Sequence, residues 1–231
     1  MAIKPQFDIA PRFSEGLTIV GMNETPYILE KRYGYIDGQG NWVVSPRFTD
    51  GDDFSEGLAA VTEGGKVGYI NLKGEVVIKP QFEDGMPCGE ELVYERMRDF
   101  SEGLAAVSVA GKWCYIDQTG RVVIRPRYDC AQRFSEELAA MGSRTKSGVR
   151  IGYIDKAGKL VIKAHFTQAG AFSGGLAHVG VGGPDDESLS KALREAERRK
   201  SGEPFEKLMD ENEIRYGYID KSGQYIWTPT K

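Results

Sequence analysis

Long apolar runs are missing from this 231-residue chain. No stretch reaches the ~18 residues that a membrane-spanning helix needs, so a bilayer is not expected as its setting. The first residues, MAIKPQFDIAPRF, carry Lys4 and Pro5 but no apolar block like that of a secretory signal. Cysteine is scarce: Cys88, Cys114 and Cys130 are the only three, and no C-x-x-C spacing offers metal ligands. A reduced, cytoplasmic location is the simplest reading. Histidine is scarcer still, and His165 with His178 supplies neither a metal centre nor a Ser-His-Asp arrangement. A dominant charge sign is also lacking. The formal net charge is −4, so no nucleic acid or other polyanion is implied as partner. No cofactor and no metal enter the expectation.

What the chain has is glycine, 29 residues of it, with 11 Tyr and 10 Phe, and it has repetition. RFSEGLTIV at 12–20 returns as DFSEGLAAV at 53–61 and 99–107, RFSEELAAM at 133–141 and AFSGGLAHV at 171–179. These blocks are led by Phe13, Phe54, Phe100, Phe134 and Phe172. A second anchor, G-Y-I-D or a variant of it, carries Tyr35, Tyr69, Tyr115, Tyr153 and Tyr218. A third is a β-branched run with P-x-aromatic, as in VVIKPQF at 76–82 and VVIRPRY at 122–128. From the Asp or Asn of the second anchor to the aromatic of the third is eleven residues in four copies. Phe-to-Phe intervals are 41, 46, 34 and 38 residues, and the excess over the shortest falls at two points of the unit, where turns tolerate insertion and strands do not.

Each unit reads as three short strands joined by turns. Asp or Asn opens D-x-x-G, at 37–40, 71–74, 117–120, 155–158 and 220–223, by accepting a local N–H, and the Gly supplies positive φ. EGGK at 63–66 and VAGK at 109–112 do the same between the first two strands. A three-stranded meander is too small to bury its own face, so neighbouring units share the recurring Phe, Leu and Tyr as a continuous core. Cys114 and Cys130 read as small buried hydrophobes, Cys88 as an exposed thiol.

The pattern F-S-E-G-L-A-A-V … G-K-W-C-Y-I-D-x-x-G-x-V-V-I-x-P-x-Y closely resembles the WG-repeat family, β-rich bacterial repeats named for a Trp-Gly pair. The resemblance covers about residues 3–179 and 214–229. The Trp is present once, at Trp113, where its Gly is Cys114; elsewhere the pair reads Tyr33-Gly34, Val67-Gly68, Ile151-Gly152 and Tyr216-Gly217. That variety suits packing better than ligand binding. The resemblance implies a repeat scaffold, often without an assigned activity, and brings no catalytic residues.

The expected fold is all-β: five three-stranded antiparallel units stacked as an open β-solenoid, with a propeller-like ring as the alternative. One repeat domain spans 1–231, with units at about 8–48, 49–82, 100–128, 129–166 and 167–229. The last unit already owns a third strand, so the surplus IKPQF at 3–7 becomes an N-terminal cap. Insertions lie at 21–32, 83–98, 142–150 and 180–215. The last has a helical signature: Asp185 or Asp186 as cap, Leu189, Ala192, Leu193 and Ala196 as apolar stripe, and Arg198, Arg199 and Lys200 at its C-terminal end. A second short helix follows over 204–212.

With no catalytic constellation in sight, the expected function is a non-enzymatic scaffold presenting its insertions and helical arm to a protein partner. A bacterial immunity protein whose insertions plug a toxin's active site is one form of that reading. The residues picked for contact are Tyr27, Arg144, Arg150, Arg198, Arg199 and Phe205. The alternative is a module for glycans or cell wall, which requires aromatics exposed in rows.

Overall fold

The computed structural model describes residues 12–25, 28–85, 97–146, 148–182 and 214–227. The chain divides into two compact bodies, Met1–Gly85 with Tyr94–Arg127, and Met86–Val93 with Tyr128–Lys231.

The first body holds three antiparallel sheets. One is β1 (Leu17–Thr25), β2 (Ile28–Asp37) and β3 (Trp42–Phe48). The next is β4 (Asp50–Gly51), β5 (Leu58–Glu63), β6 (Lys66–Asn71) and β7 (Val76–Phe82). The third is β8 (Leu104–Val109), β9 (Lys112–Asp117) and β10 (Val122–Tyr128). The second body has two four-stranded sheets. One is β11 (Cys130–Ala131), β12 (Ala139–Thr145), β13 (Gly148–Ile154) and β14 (Leu160–Phe166). The other is β15 (Gln168–Ala169), β16 (Leu176–Gly182), β17 (Ile214–Asp220) and β18 (Tyr225–Trp227).

This corrects the open β-solenoid of three-stranded units. The strands form five discrete sheets, and hydrogen-bonded ladders stay inside each one. Three sheets gain a two-residue first strand, β4, β11 or β15, from the connection that precedes the F-S-E-G-L block. A connection read as linker pairs because its backbone runs beside the first long strand: Gly51 lies opposite Val61, and Ala131 opposite Met141. The helical insertion at 180–215 is corrected where it is described. Val181 and Gly182 pair with Arg215 and Ile214 as a longer β16–β17 hairpin; residues 183–213, Arg198, Arg199 and Phe205 among them, lie outside the described residues, as do Tyr27, Cys88 and the capping segment at 3–7.

The nine-letter block has a physical explanation. Glu15 and Gly16 sit at φ 51° and 86°, and Ser14 and Leu17 exchange both backbone hydrogen bonds, which makes S-E-G-L a two-residue turn of the type that matches strand twist. Left-handed Glu costs about 1–2 kcal/mol, yet Glu15, Glu56, Glu102 and Glu136 all adopt it. The carboxylates of Glu15, Glu56 and Glu136 supply compensation. Gly57 N–H donates to Glu15 at 2.9 Å, Glu102 and Gly103 N–H to Glu56 at 2.6 and 2.9 Å, and Gly175 N–H to Glu136 at 2.9 Å. Lys221 and that Gly175 bond hold the Glu136 carboxyl below its ordinary range. The serines reach forward likewise: Ser14, Ser55 and Ser135 donate to the carbonyls of Phe54, Phe100 and Phe172 at 2.6, 2.7 and 2.7 Å. Each letter thus fastens one sheet to the next.

Tyrosine completes the joint. In G-Y-I-D the Tyr and Ile point to opposite faces. The Tyr face of one sheet packs on the Ile face of the next, as when Ala60, Tyr69 and Ile78 meet Ala105, Val107 and Ile116. Tyr35, Tyr69 and Tyr153 stand edge-on to Phe54, Phe100 and Phe172 with ring centroids 5.0, 5.0 and 4.9 Å apart. Their hydroxyls donate to the carbonyls of Asp52, Arg98 and Gly170, two residues before each Phe. Burial raises the Tyr69 and Tyr153 phenols well above the ordinary value.

Two of the ten core aromatics expected from the repeat are corrected. Phe13 is 45% and Tyr218 42% exposed, whereas the other eight are buried. Both belong to end copies. Elsewhere a buried Phe stands edge-on to the Tyr of the copy before it, as Phe54 does to Tyr35, Phe100 to Tyr69 and Phe172 to Tyr153. Tyr218 lies beside His178, ring centroids 5.3 Å apart.

The Gly of the recurring pair is a matter of space. The ladder between β6 and β7 shifts between Val67 and Tyr69, and a Cβ on Gly68 would stand 2.6 Å from both Ile78 O and Pro80 N. Gly34 and Gly152 face the same obstruction from their own third strands. Where Cys114 replaces it, the side chain is buried with Sγ directed at Val107 O, 3.4 Å away, and burial pushes the thiol up to about 11. Cys130 is also buried but is disulfide-bonded, which corrects its reading as a plain hydrophobe.

Candidate interaction surface

The third strand of every copy closes its sheet: β3, β7, β10, β14 and β18 are all terminal. Two of them, β7 and β10, open on the β-branched apolar run VVI. The structure places only two of seven side chains inward on β3, β7, β10 and β14, the pair four apart such as Ile78 and Phe82. The ladder shift that accommodates the Gly turns the rest outward. Exposed in consequence are Trp42 and Val43, Val76 and Val77, Val122 and Val123, and Leu160 and Val161, each between 36% and 46%. Isolated exposed aliphatics are ordinary; a pair at the same place in sheet after sheet is a patterned surface.

Within the first body these edges follow one another. The turn at 71–74 lies against the preceding sheet's third strand, where a Cβ on Gly74 would strike Val44. The turn at 117–120 repeats the contact, with the Gly120 Cβ position 3.0 Å from Ile78. Arg47 spans the first step, its guanidinium carbon 4.7 Å from the Phe48 ring centroid and Nη2 3.4 Å from Gly74 O. The turns themselves are stiff. Asp37 Oδ1 accepts from Gln39 and Asn41 N–H at 2.9 Å each, and Asn71, Asp117, Asp155 and Asp220 repeat the pattern. The bond from Asn41 chiefly holds the Asp37 carboxyl below its usual range. The surface is therefore a fixed row of β3, β7 and β10.

On those strands Pro46, Pro80 and Pro126 remove a ladder donor each, and Arg47, Lys79, Arg125 and Arg127 accompany them. Proline and basic side chains are how natural sheets keep an open edge from pairing with another copy.

Of the residues picked from sequence, Arg144 and Arg150 lie among the described residues, and they do not come together. Arg144 is exposed and Arg150 half-buried on the β12–β13 hairpin. Ser143 faces Arg150 and Arg144 faces Val149, so the two arginines point to opposite sides. The insertion at 142–150 is thus an extension of two paired strands. Sequence reasoning also missed Arg98, the last residue of the insertion at 83–98. Its side chain is 12% exposed, with Nε 2.9 Å from Asp52, Nη2 2.9 Å from Asp50 and Nη1 3.6 Å from Asp84. Burial works against the charged guanidinium, but the charge of Asp52 and the hydrogen bonds the guanidinium donates to Asp50 and Asp52 outweigh that and keep the proton held more firmly than usual. On the second body His178 stacks on Tyr216, centroids 5.0 Å apart and 9° between planes.

Among the described residues no group of His, Cys, Asp and Glu is arranged to hold a metal ion, and no helix is long and apolar enough to cross a membrane. The sequence pattern of the family described as WG containing repeat matches residues 1–25, 33–66, 68–87, 91–113, 115–141 and 151–183. No curated protein matches the chain. A crystal structure of puromycin hydrolase aligns with a TM-score of 0.50 at 11% identity, covering 98% of this chain and 38% of its own. Prolyl oligopeptidase B from Galerina marginata, bound to a 25mer macrocyclization substrate, aligns with a TM-score of 0.42 at 10% identity, over 72% of this chain and 29% of its own. The chain spans well under half the length of either enzyme, and an identity of 11% makes the likeness to puromycin hydrolase one of fold alone.

Proposed function

From the premise that the chain belongs to the WG-containing repeat family, we propose that it is a non-catalytic scaffold whose outer strands β3, β7 and β10 bind a protein partner. The observation that carries the reading is the pair of exposed apolar residues at the same place on each edge: Trp42 and Val43, Val76 and Val77, Val122 and Val123. Protein recognition needs extended, fixed area more than a deep pocket, and repeat arrays supply such area. An immunity protein that occludes a toxin is one biological form of such a scaffold. Glycan binding has a smaller foothold, the rings of His178, Tyr216 and Tyr218; a single cluster falls short of the rows of aromatics that reading requires.

The test is a pair of baits, wild type and a variant with Val76, Val77, Val122 and Val123 all changed to Ser, used on a lysate of the source organism with quantitative proteomics. These side chains are exposed, so an unchanged melting temperature is expected for the variant. The proposal predicts proteins retained by wild type and depleted at least tenfold on the variant. Equal recovery on both baits would remove β7 and β10 from the contact surface.

A further inference from the structure

Resting on that reading of the outer edges, we propose that the partner presents an acidic segment bearing aliphatic side chains. Every charged side chain on β3, β7 and β10 is basic, namely Arg47, Lys79, Arg125 and Arg127, and all four are exposed. The chain as a whole is acidic, 34 Asp and Glu against 30 Lys and Arg, so this row departs from the composition of the molecule.

Several carboxylates of the first body are engaged in bonds of their own, among them Glu83 at the end of β7, which accepts from Gly111 N–H and pairs with Lys66. Glu15 and Glu56 hold the backbone of the next turn. Asp50, Asp52 and Asp84 surround Arg98. Asp37 and Asp117 are folded into their own turns. Glu75, just ahead of β7, is bonded to Asn71 at 2.7 Å. What reaches solvent on the strands themselves is apolar surface, aliphatic but for Trp42, with basic side chains as its only charges.

Charge complementarity selects among occupants. A second copy would bring an equally basic edge against this one, and like charges across an interface cost several kcal/mol. A nucleic acid would meet a chain of net charge −4, and Trp42 is the one exposed aromatic on β3, β7 and β10, short of the succession of rings on which bases stack. A segment alternating Asp or Glu with Leu or Ile places carboxylates on the guanidinium and ammonium groups and methyl groups on the valines. Such contacts at a solvent-exposed rim weaken as salt rises.

The whole chain is titrated, by fluorescence anisotropy at low salt, against three labelled peptides of equal length and a duplex DNA. The peptides alternate Glu with Leu, Lys with Leu, and Glu with Ser. The Glu-Leu peptide is expected to bind at least about tenfold more tightly than the other probes, a difference of about 1.4 kcal/mol. Its affinity is expected to fall with salt, and to fall at least about tenfold in the variant Lys79→Glu, Arg125→Glu, Arg127→Glu, whose melting temperature stays unchanged. Equal binding of the Lys-Leu peptide, preference for DNA, self-association of the wild type, or indifference to the charge reversal would each overturn the proposal. If the serine bait loses proteins whose capture is insensitive to salt and to the charge reversal, the acidic partner falls while the scaffold reading stands.

Discussion

Truncation of Phe100 to alanine is expected to destabilise the first body by about 3–5 kcal/mol, as for a large ring removed from a site that cannot collapse. Phe100 is 1% exposed and sits edge-on to Tyr69. Collapse is resisted because its backbone is pinned: Ser55 holds the Phe100 carbonyl, and Ser101 exchanges two backbone bonds with Leu104. The lost contact is one that joins two sheets, so the cost spreads into the Ala60, Tyr69 and Ile78 side of the cluster. The control is Phe13→Ala. It changes the same letter of the same motif at a ring that is 45% exposed, and costs about 0.5 kcal/mol or less. Urea unfolding of both variants measures the difference; equal costs would mean that the repeated Phe does not couple sheets.

Removal of Arg98 is expected to cost a comparable amount, about 3–5 kcal/mol, the range for a buried pair broken on one side. The penalty comes mainly from Asp52, whose side chain is 10% exposed and would be left without its charge partner. Asp50 and Asp84 are 48% and 66% exposed, so Asp50→Asn and Asp84→Asn each cost less than about 1 kcal/mol. Lysine at position 98 recovers only part of the loss, because an ammonium cannot span carboxylates from Nε and Nη2 at once. The Arg98 carbonyl also receives the Tyr69 hydroxyl at 2.9 Å, so this residue and Phe100 hold the same joint. The double variant is therefore expected to cost less than the sum of the two single ones. Strict additivity would contradict the shared joint.

The joints were legible in the sequence because they depend on identity and spacing. A Phe, a Tyr and a D-x-x-G turn recurring in fixed order, the last two at constant separation, demand equivalent places, and eight of the ten aromatics are buried there. Phe13 and Tyr218 were not legible, since burial of a shared residue depends on the neighbour and an end copy reads like an inner one. The two-residue strands β4, β11 and β15 were invisible for a related reason: pairing of DG, CA or QA is imposed by the adjacent long strand and not by their own composition.

The interaction surface was the larger omission. VVIKPQF and its relatives read only as a third strand, and the three consecutive apolar residues hide which of them turns outward. The available signal was Pro80 beside Lys79, and Pro126 between Arg125 and Arg127, since proline within a strand marks an edge. Arg98 carried no such signal, because the insertion that holds it has no counterpart in other copies.

The claim that β3, β7 and β10 are the recognition surface is tested most directly by hydrogen–deuterium exchange of the whole chain with and without a protein captured by the wild-type bait. The account predicts slowed exchange at residues 42–48, 76–82 and 122–128. Unchanged exchange at all three strands, with protection confined to the S-E-G-L turns or the β12–β13 hairpin, would contradict it.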